Sequence, residues 1–158
     1  METRPKPSKL SYLTVQDILW INLQVTKKTN RFNYATLEEA TYYQYAYGDS
    51  DELVSQASRF LRGFLKLAPL SEGNEATAFV AFAAFLMLNE HQLDVADDRA
   101  VEWFRRGSFG SPITQLEHGH SHSDAVRDVV MHVLQAYPRT VSELSGRSVA
   151  VIVDGAIH

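Results

Sequence analysis

From Ala76 to Leu88 the chain reads ATAFVAFAAFLML, without a single charge. Wound as a helix, this run is apolar on every side. It is too short to span a bilayer, which takes about 20 apolar residues. A helix with no polar face has to be wrapped by other elements, so the segment predicts a buried central helix. The remainder of the 158 residues is then the wrapping, enough for one domain with one core.

The flanking segments carry helical signals. In "SYLTVQDILWINLQVT" Thr14 is placed as an N-cap with Asp17 three residues on, and Ile18, Leu19, Ile21 and Val25 form an apolar stripe. "TLEEATYYQYAYGDS" predicts a second helix, capped by Thr36 and ended by Gly48, with Glu38 and Glu39 in its first turn. Tyr42, Tyr43, Tyr45 and Tyr47 are expected to bury their rings and turn their hydroxyls to water. "DELVSQASRFLRGFLKL" predicts a third, with Leu53, Ala57, Phe60, Leu61 and Phe64 on one side, Asp51 and Glu52 at its start and Lys66 near its end. Pro69 stops it. Beyond the central run, "DDRAVEWFRRGSF" predicts a short helix with Trp103 and Phe104 inward and Arg105 and Arg106 outward. "GSPITQLEHGHSHS" is a loop by composition. "SDAVRDVVMHVLQAY" is a helix capped by Ser123 or Asp124, lined by Val126, Val129, Val130, Val133 and Leu134, with Pro138 beyond its end. The C-terminal "RSVAVIVDGAIH" is strand-like. The fold class is therefore mainly α: a helical bundle around a buried central helix, with a minor C-terminal strand.

Composition narrows the function. The net charge of −4 argues against bulk nucleic-acid binding. With no cysteine, disulfides and thiolate catalysis are excluded. No P-loop, dinucleotide fingerprint or Ser-His-Asp arrangement occurs. "METRPKPSKL" lacks the apolar run of a signal peptide, so the expected location is cytoplasmic.

The stretch with most chemical content is Ala68 to Asn74, which opens onto the central helix. Gly73 lets the backbone approach a ligand, and the first N–H groups of the helix attract anions. Asn74 adds an amide donor, and Glu72 is a carboxylate of the type that holds a divalent cation. The purely structural reading is a capped helix start with glycine in a tight turn.

The order of elements, and the sequence of this turn, resemble the Fic/Doc (Fido) superfamily, the Doc (death-on-curing) branch most closely, over roughly residues 10 to 106. The family motif is His-Pro-Phe-x-Asp/Glu-Gly-Asn-Lys/Gly-Arg-Thr-Ala. This chain has Ala68-Pro69-Leu70-Ser71-Glu72-Gly73-Asn74-Glu75-Ala76-Thr77-Ala78. Pro69, Glu72, Gly73, Asn74, Thr77 and Ala78 match. The resemblance implies a core over residues 10–106; residues 1–9, with two prolines and mixed charge, read as a loose arm, and residues 107–158, which the resemblance does not reach, as additional structure on the same domain. In the family the motif histidine takes the proton from a target hydroxyl, and the motif arginine grips nucleotide phosphates. Those positions are Ala68 and Ala76 here, the adjoining lysine is Glu75, the second arginine of some relatives is Phe79, and the aromatic anchor is Leu70.

Losing a base typically costs about 10²- to 10⁴-fold in rate. Each like-charge contact between a phosphate and Glu72 or Glu75 costs about 1 to 4 kcal/mol at roughly 4 Å. Arg59, Arg62 and Lys66 on the preceding helix are candidate sources of replacement charge. The resemblance so implies a catalytically inactive protein: no catalytic residue, a vestigial anion hole with its metal-type acid at Glu72, Gly73 and Asn74, and no resident cofactor. Its ligand would be a protein partner or small molecule, in a toxin–antitoxin or stress-response setting. The C-terminal "VAVIV" would pair with a partner edge or a second copy, giving a homodimer.

Two alternatives stand beside it. A divergent transferase would move AMP or phosphate from Mg-bound ATP to a protein hydroxyl, with His91, a loop histidine or Glu75 as base. A metal-binding module would use "EHGHSHSD", where His118, His120 and His122 alternate beside Glu117 and Asp124 and project to one face of an extended loop. His132, alone on a helix, is expected in the core or on the surface.

Overall fold

The computed structural model describes residues 10–45, 52–116 and 125–146. Helix α4, Asn74–Leu88, is the central element, and every side chain from Ala76 to Leu86 is buried. Packed around it are α1 (Val15–Thr26), α3 (Leu53–Leu67), α6 (Val126–Ala136), α7 (Pro138–Leu144) and the strand β1 (His91–Leu93). Helix α2 (Tyr34–Tyr42) bridges α1 and α3, and α5 (Asp97–Arg106) packs on α7. The fold is mainly helical around the central helix, as the uncharged run predicts, and among the described residues it has one two-stranded antiparallel sheet. Among the described residues no helix is long and apolar enough to cross a membrane.

Local side-chain caps start α1 and α2. The Thr14 hydroxyl accepts the Asp17 N–H (3.1 Å) and the Asp17 carboxylate accepts the Thr14 N–H (2.8 Å), a reciprocal capping box. Ile18, Ile21 and Val25 then face the core, as their spacing predicts. Helix α2 departs from expectation. Its cap is Asn33, whose side-chain oxygen accepts the Thr36 N–H (2.9 Å), so the helix begins at Tyr34 and Thr36 lies inside it. It ends at Tyr42, and Gly48 lies outside the described residues, as does Tyr47. The tyrosine rings are also less buried than expected. Tyr42 and Tyr45 stack on one another at the surface, 5.5 Å between centroids, and only Tyr43 is half-buried.

Three features of the C-terminal half were not legible. The expected loop contains β2, Ile113–Gln115, which pairs with β1 in the register His91↔Gln115 and Leu93↔Ile113. Pro138 does not merely end a helix. It occupies the first turn of α7, where its missing N–H is no loss. The Asp97 carboxylate of α5 accepts the Arg139 N–H (3.0 Å) and the Thr140 N–H (2.9 Å), so a side chain from another helix caps α7. Helix α6 starts after Ala125, and its two candidate caps, Ser123 and Asp124, lie outside the described residues. The proposed C-terminal strand, the "VAVIV" pairing edge and the histidine loop 117–124 likewise fall outside them.

The α4, α5 and α7 elements meet in an aromatic cluster. Phe79 lies edge-on to Trp103 (6.3 Å), Phe104 (6.3 Å) and Tyr137 (5.1 Å). The Tyr137 hydroxyl donates to the carbonyls of Val95 and Leu93. Burial pushes its pKa up to about 12, and the carboxylates of Asp97 and Asp94 add to the shift.

Candidate functional site

The turn from Ala68 to Asn74 is built by its own side chains and by α1. Ala68 closes α3 in the left-handed region (φ 42°), with its N–H on the Phe64 carbonyl (2.8 Å). Next the chain pairs briefly with the segment before α2. The Asn33 N–H donates to the Pro69 carbonyl (3.3 Å), and the Ser71 N–H donates to the Arg31 carbonyl (2.9 Å). Leu70, at the motif's aromatic position, is buried here.

Asn74 points its amide back into this loop. Its oxygen accepts the Leu70 N–H (3.0 Å) and its nitrogen donates to the Leu70 carbonyl (2.7 Å). The donor that the sequence offered to a ligand is committed to holding the turn. Gly73 has φ +78°, and a β-carbon there would lie 2.4 Å from Thr26 Cγ2 and 3.0 Å from Asn22 Nδ2. The glycine therefore serves a close approach of α1 to the turn, not of a ligand to the backbone.

Asn22 is the residue that organises the site. It is buried beside the apolar stripe of α1. Its amide nitrogen donates to the Glu72 carbonyl (2.9 Å) and to Thr77 Oγ1 (3.0 Å). Its oxygen accepts from Asn30 Nδ2 (2.8 Å), which also donates to Thr26 Oγ1 (2.9 Å). Three segments are thus tied at one buried amide. A signal for this existed in the sequence: a polar residue stands directly after Ile21, on the side that Ile18 and Val25 occupy.

The carboxylates of the turn are paired. Lys28 Nζ lies 2.9 Å from Glu72, and Arg105 Nη1 lies 2.8 Å from Glu75, both pairs about half exposed. The sequence offered Arg59, Arg62 and Lys66 as compensating charge for these acids; Lys28 and Arg105 supply it instead. The cations come from the α1–α2 connection and from the end of α5. They do not come from Arg59, Arg62 and Lys66, which line a separate groove along α3. A divalent cation at Glu72 would compete with the Lys28 ammonium for the same carboxylate. Ala76, at the motif's arginine position, and Phe79, at the second arginine position, are both fully buried.

Among the described residues neither histidine is brought to the turn, and the one candidate base there is Glu75. His91 sits on β1 beyond the far end of α4, with Nδ1 2.9 Å from the Asn89 carbonyl. The 15 residues of α4 place about 22 Å between the two ends. His132 is on the exposed side of α6. Glu75 is close, but it is held by Arg105. His118, His120 and His122 lie outside the described residues, and no group of three or more metal-ligating side chains occurs within them.

The turn pairs its own carboxylates and is tied to α1 through Asn22, which joins the Glu72 carbonyl and Thr77 of α4. Comparison of the chain with protein-family models, with curated proteins and with solved structures found no match.

Proposed function

We propose that this protein is a non-catalytic, Fic/Doc-like binding protein in which the former nucleotide turn has become a structural brace. The observation that supports this most directly is Asn74, whose amide closes the loop on Leu70 through both of its polar atoms. The alanine at position 68 has no proton to give or take, and the ion pairs of Glu72 with Lys28 and of Glu75 with Arg105 stand where a metal and phosphates would have to enter. The assignment to the Fic/Doc pattern rests on the residues shared with its motif. The partner or ligand binds elsewhere on the surface.

The test is calorimetric titration of ATP with Mg²⁺ into the purified chain, with Glu72→Ala as control. The expected result is no heat of binding that depends on Glu72. Saturable binding that disappears in Glu72→Ala, accompanied by transfer of a nucleotide label to a protein hydroxyl, would replace this reading with a working transferase.

A further inference from the structure

Helix α3 carries a second polar constellation, and it differs from the turn in lining a groove and in including two groups, the Lys66 ammonium and the Ser58 hydroxyl, without a partner among the described residues. Ser55, Ser58, Arg59, Arg62 and Lys66 recur at spacings of three and four, so they share one face of the helix. Such a stripe is ordinarily a solvated surface. Here it forms the floor of an open groove of about 560 Å³. One wall is Tyr43, which packs onto Gly63 so closely that a β-carbon there would lie 2.3 Å from the ring. The other is Gly110, from the loop between α5 and β2, where an added β-carbon would lie 3.7 Å from Ser58 Oγ. The volume is that of a small-molecule site, commonly about 300 to 1,000 Å³.

The electrostatics of the groove run against those of the chain. The net charge of the protein is −4, yet among the described residues the groove is lined by Arg59, Arg62 and Lys66 and by no carboxylate. Of the described acids, Glu52 accepts from the Ser55 hydroxyl (3.4 Å) and Glu39 from the Tyr43 hydroxyl (3.3 Å). Arg62 donates one N–H to the Gly107 carbonyl (3.2 Å) and lies over the Phe109 ring, which fixes its plane. Arg59 is anchored on the Tyr45 carbonyl. Lys66 has no ion pair or hydrogen bond among the described residues. Ser58 Oγ is buried without a hydrogen-bond partner, an arrangement uncommon in folded proteins.

We propose that this groove binds a small phosphate-bearing molecule, with Arg59, Arg62 and Lys66 as the anion contacts. Two oriented guanidinium groups and one mobile ammonium supply forked donors and a point charge, a combination suited to the several oxygens of a phosphate group. The proposal gives the binding reading above a site and a ligand class, and it uses none of the residues of the turn.

The experiment is calorimetric titration of inorganic pyrophosphate, and separately of AMP, into the full chain in the presence of a chelator. The variants are Lys66→Glu, Ser58→Ala and Glu72→Ala, each checked for an unchanged melting transition. Saturable binding is expected that weakens about tenfold or more in Lys66→Glu, weakens less in Ser58→Ala, falls with added salt and is unchanged in Glu72→Ala. Tighter binding of AMP would identify a nucleotide-type ligand, and tighter binding of pyrophosphate a simple polyphosphate. Absence of saturable binding for both probes overturns the groove as a phosphate site and leaves the non-catalytic reading of the turn standing. Binding that is lost in Glu72→Ala but insensitive to Lys66→Glu overturns the groove and the brace together.

Discussion

The turn before α4 and the outer face of α3 are both polar, and they use polarity in opposite ways. At the turn, Asn22, Asn74, Glu72 and Glu75 each have a partner within the protein. On α3, Lys66 and the Ser58 hydroxyl have none among the described residues. The turn has the residues that look like a ligand site in sequence, and it is satisfied from within. The α3 face looks like an ordinary solvated stripe in sequence, and it lines a concavity. A motif records which residue types stand together. Whether their hydrogen-bonding capacity is left over for a ligand depends on what the rest of the chain brings up to them.

If the turn is a brace, its parts must matter for stability, and the largest effect belongs to the close approach at Gly73. Gly73→Ala places a β-carbon 2.4 Å from Thr26 Cγ2 at a φ of +78°. Strain at a left-handed position and overpacking together are expected to cost about 2 to 4 kcal/mol. Urea unfolding measures it, and a loss below about 0.5 kcal/mol would break the brace interpretation. Asn22→Ala comes next. It removes the amide shared by Glu72, Thr77 and Asn30 and leaves the buried Thr77 hydroxyl without its donor, for an expected loss of about 1 to 3 kcal/mol. The paired variant Asn22→Asp keeps the shape but replaces the donor by an acceptor, and it should do no better.

Tyr137 tests a site where polarity is satisfied by backbone carbonyls alone. Its pKa in the folded protein is pushed up to about 12, whereas an unfolded tyrosine titrates near about 10. Between these values the folded state holds a proton that the unfolded state has released. The corresponding stability is complete below about pH 10 and is lost as the pH rises toward about 12. Because the ring is only partly buried, the loss is expected to be on the order of 1 to 2 kcal/mol. Denaturant midpoints on either side of that window check it, with Tyr137→Phe as the variant that lacks this component. The comparison isolates Tyr137 from Tyr42, whose pKa is also raised, through its hydrogen bond and charge contact with Glu38.

The smallest effects separate the two regions' exposed charges. Glu72→Ala breaks a half-exposed ion pair with Lys28 and should lower stability by less than about 1 kcal/mol. Lys66→Gln touches no partner and should leave stability within about 0.5 kcal/mol of the parent. If Lys66→Gln proved the more destabilising of the two, the contrast between the paired Glu72 and the unpaired Lys66 would fail.

Much of the scaffold could be read residue by residue. The capping box of Thr14 and Asp17, the inward stripes of α1 and α3, and the inward Trp103 and Phe104 all follow from neighbours within one helical turn. The site was legible only as an inventory. Glu72, Gly73 and Asn74 were visible as a turn, but their partners were not, because Lys28 is 44 positions from Glu72 and Arg105 is 30 from Glu75. The α7 cap escaped for the same reason, since Asp97 reaches Thr140 across 43 positions.

The sequence by itself determined the central helix. An uncharged run without a polar face has one low-energy location in water, inside a shell of amphipathic helices, and no partner has to be known for that to hold. The tertiary structure decided everything that depends on pairing. It set the register of β1 on β2, the use of Pro138 to begin a helix, the neutralisation of the turn's carboxylates and the walls that Tyr43 and Gly110 raise around α3. Burial is a property a segment carries in its own composition, whereas a hydrogen bond or an ion pair needs a second group at about 3 Å, and only the fold brings that group there.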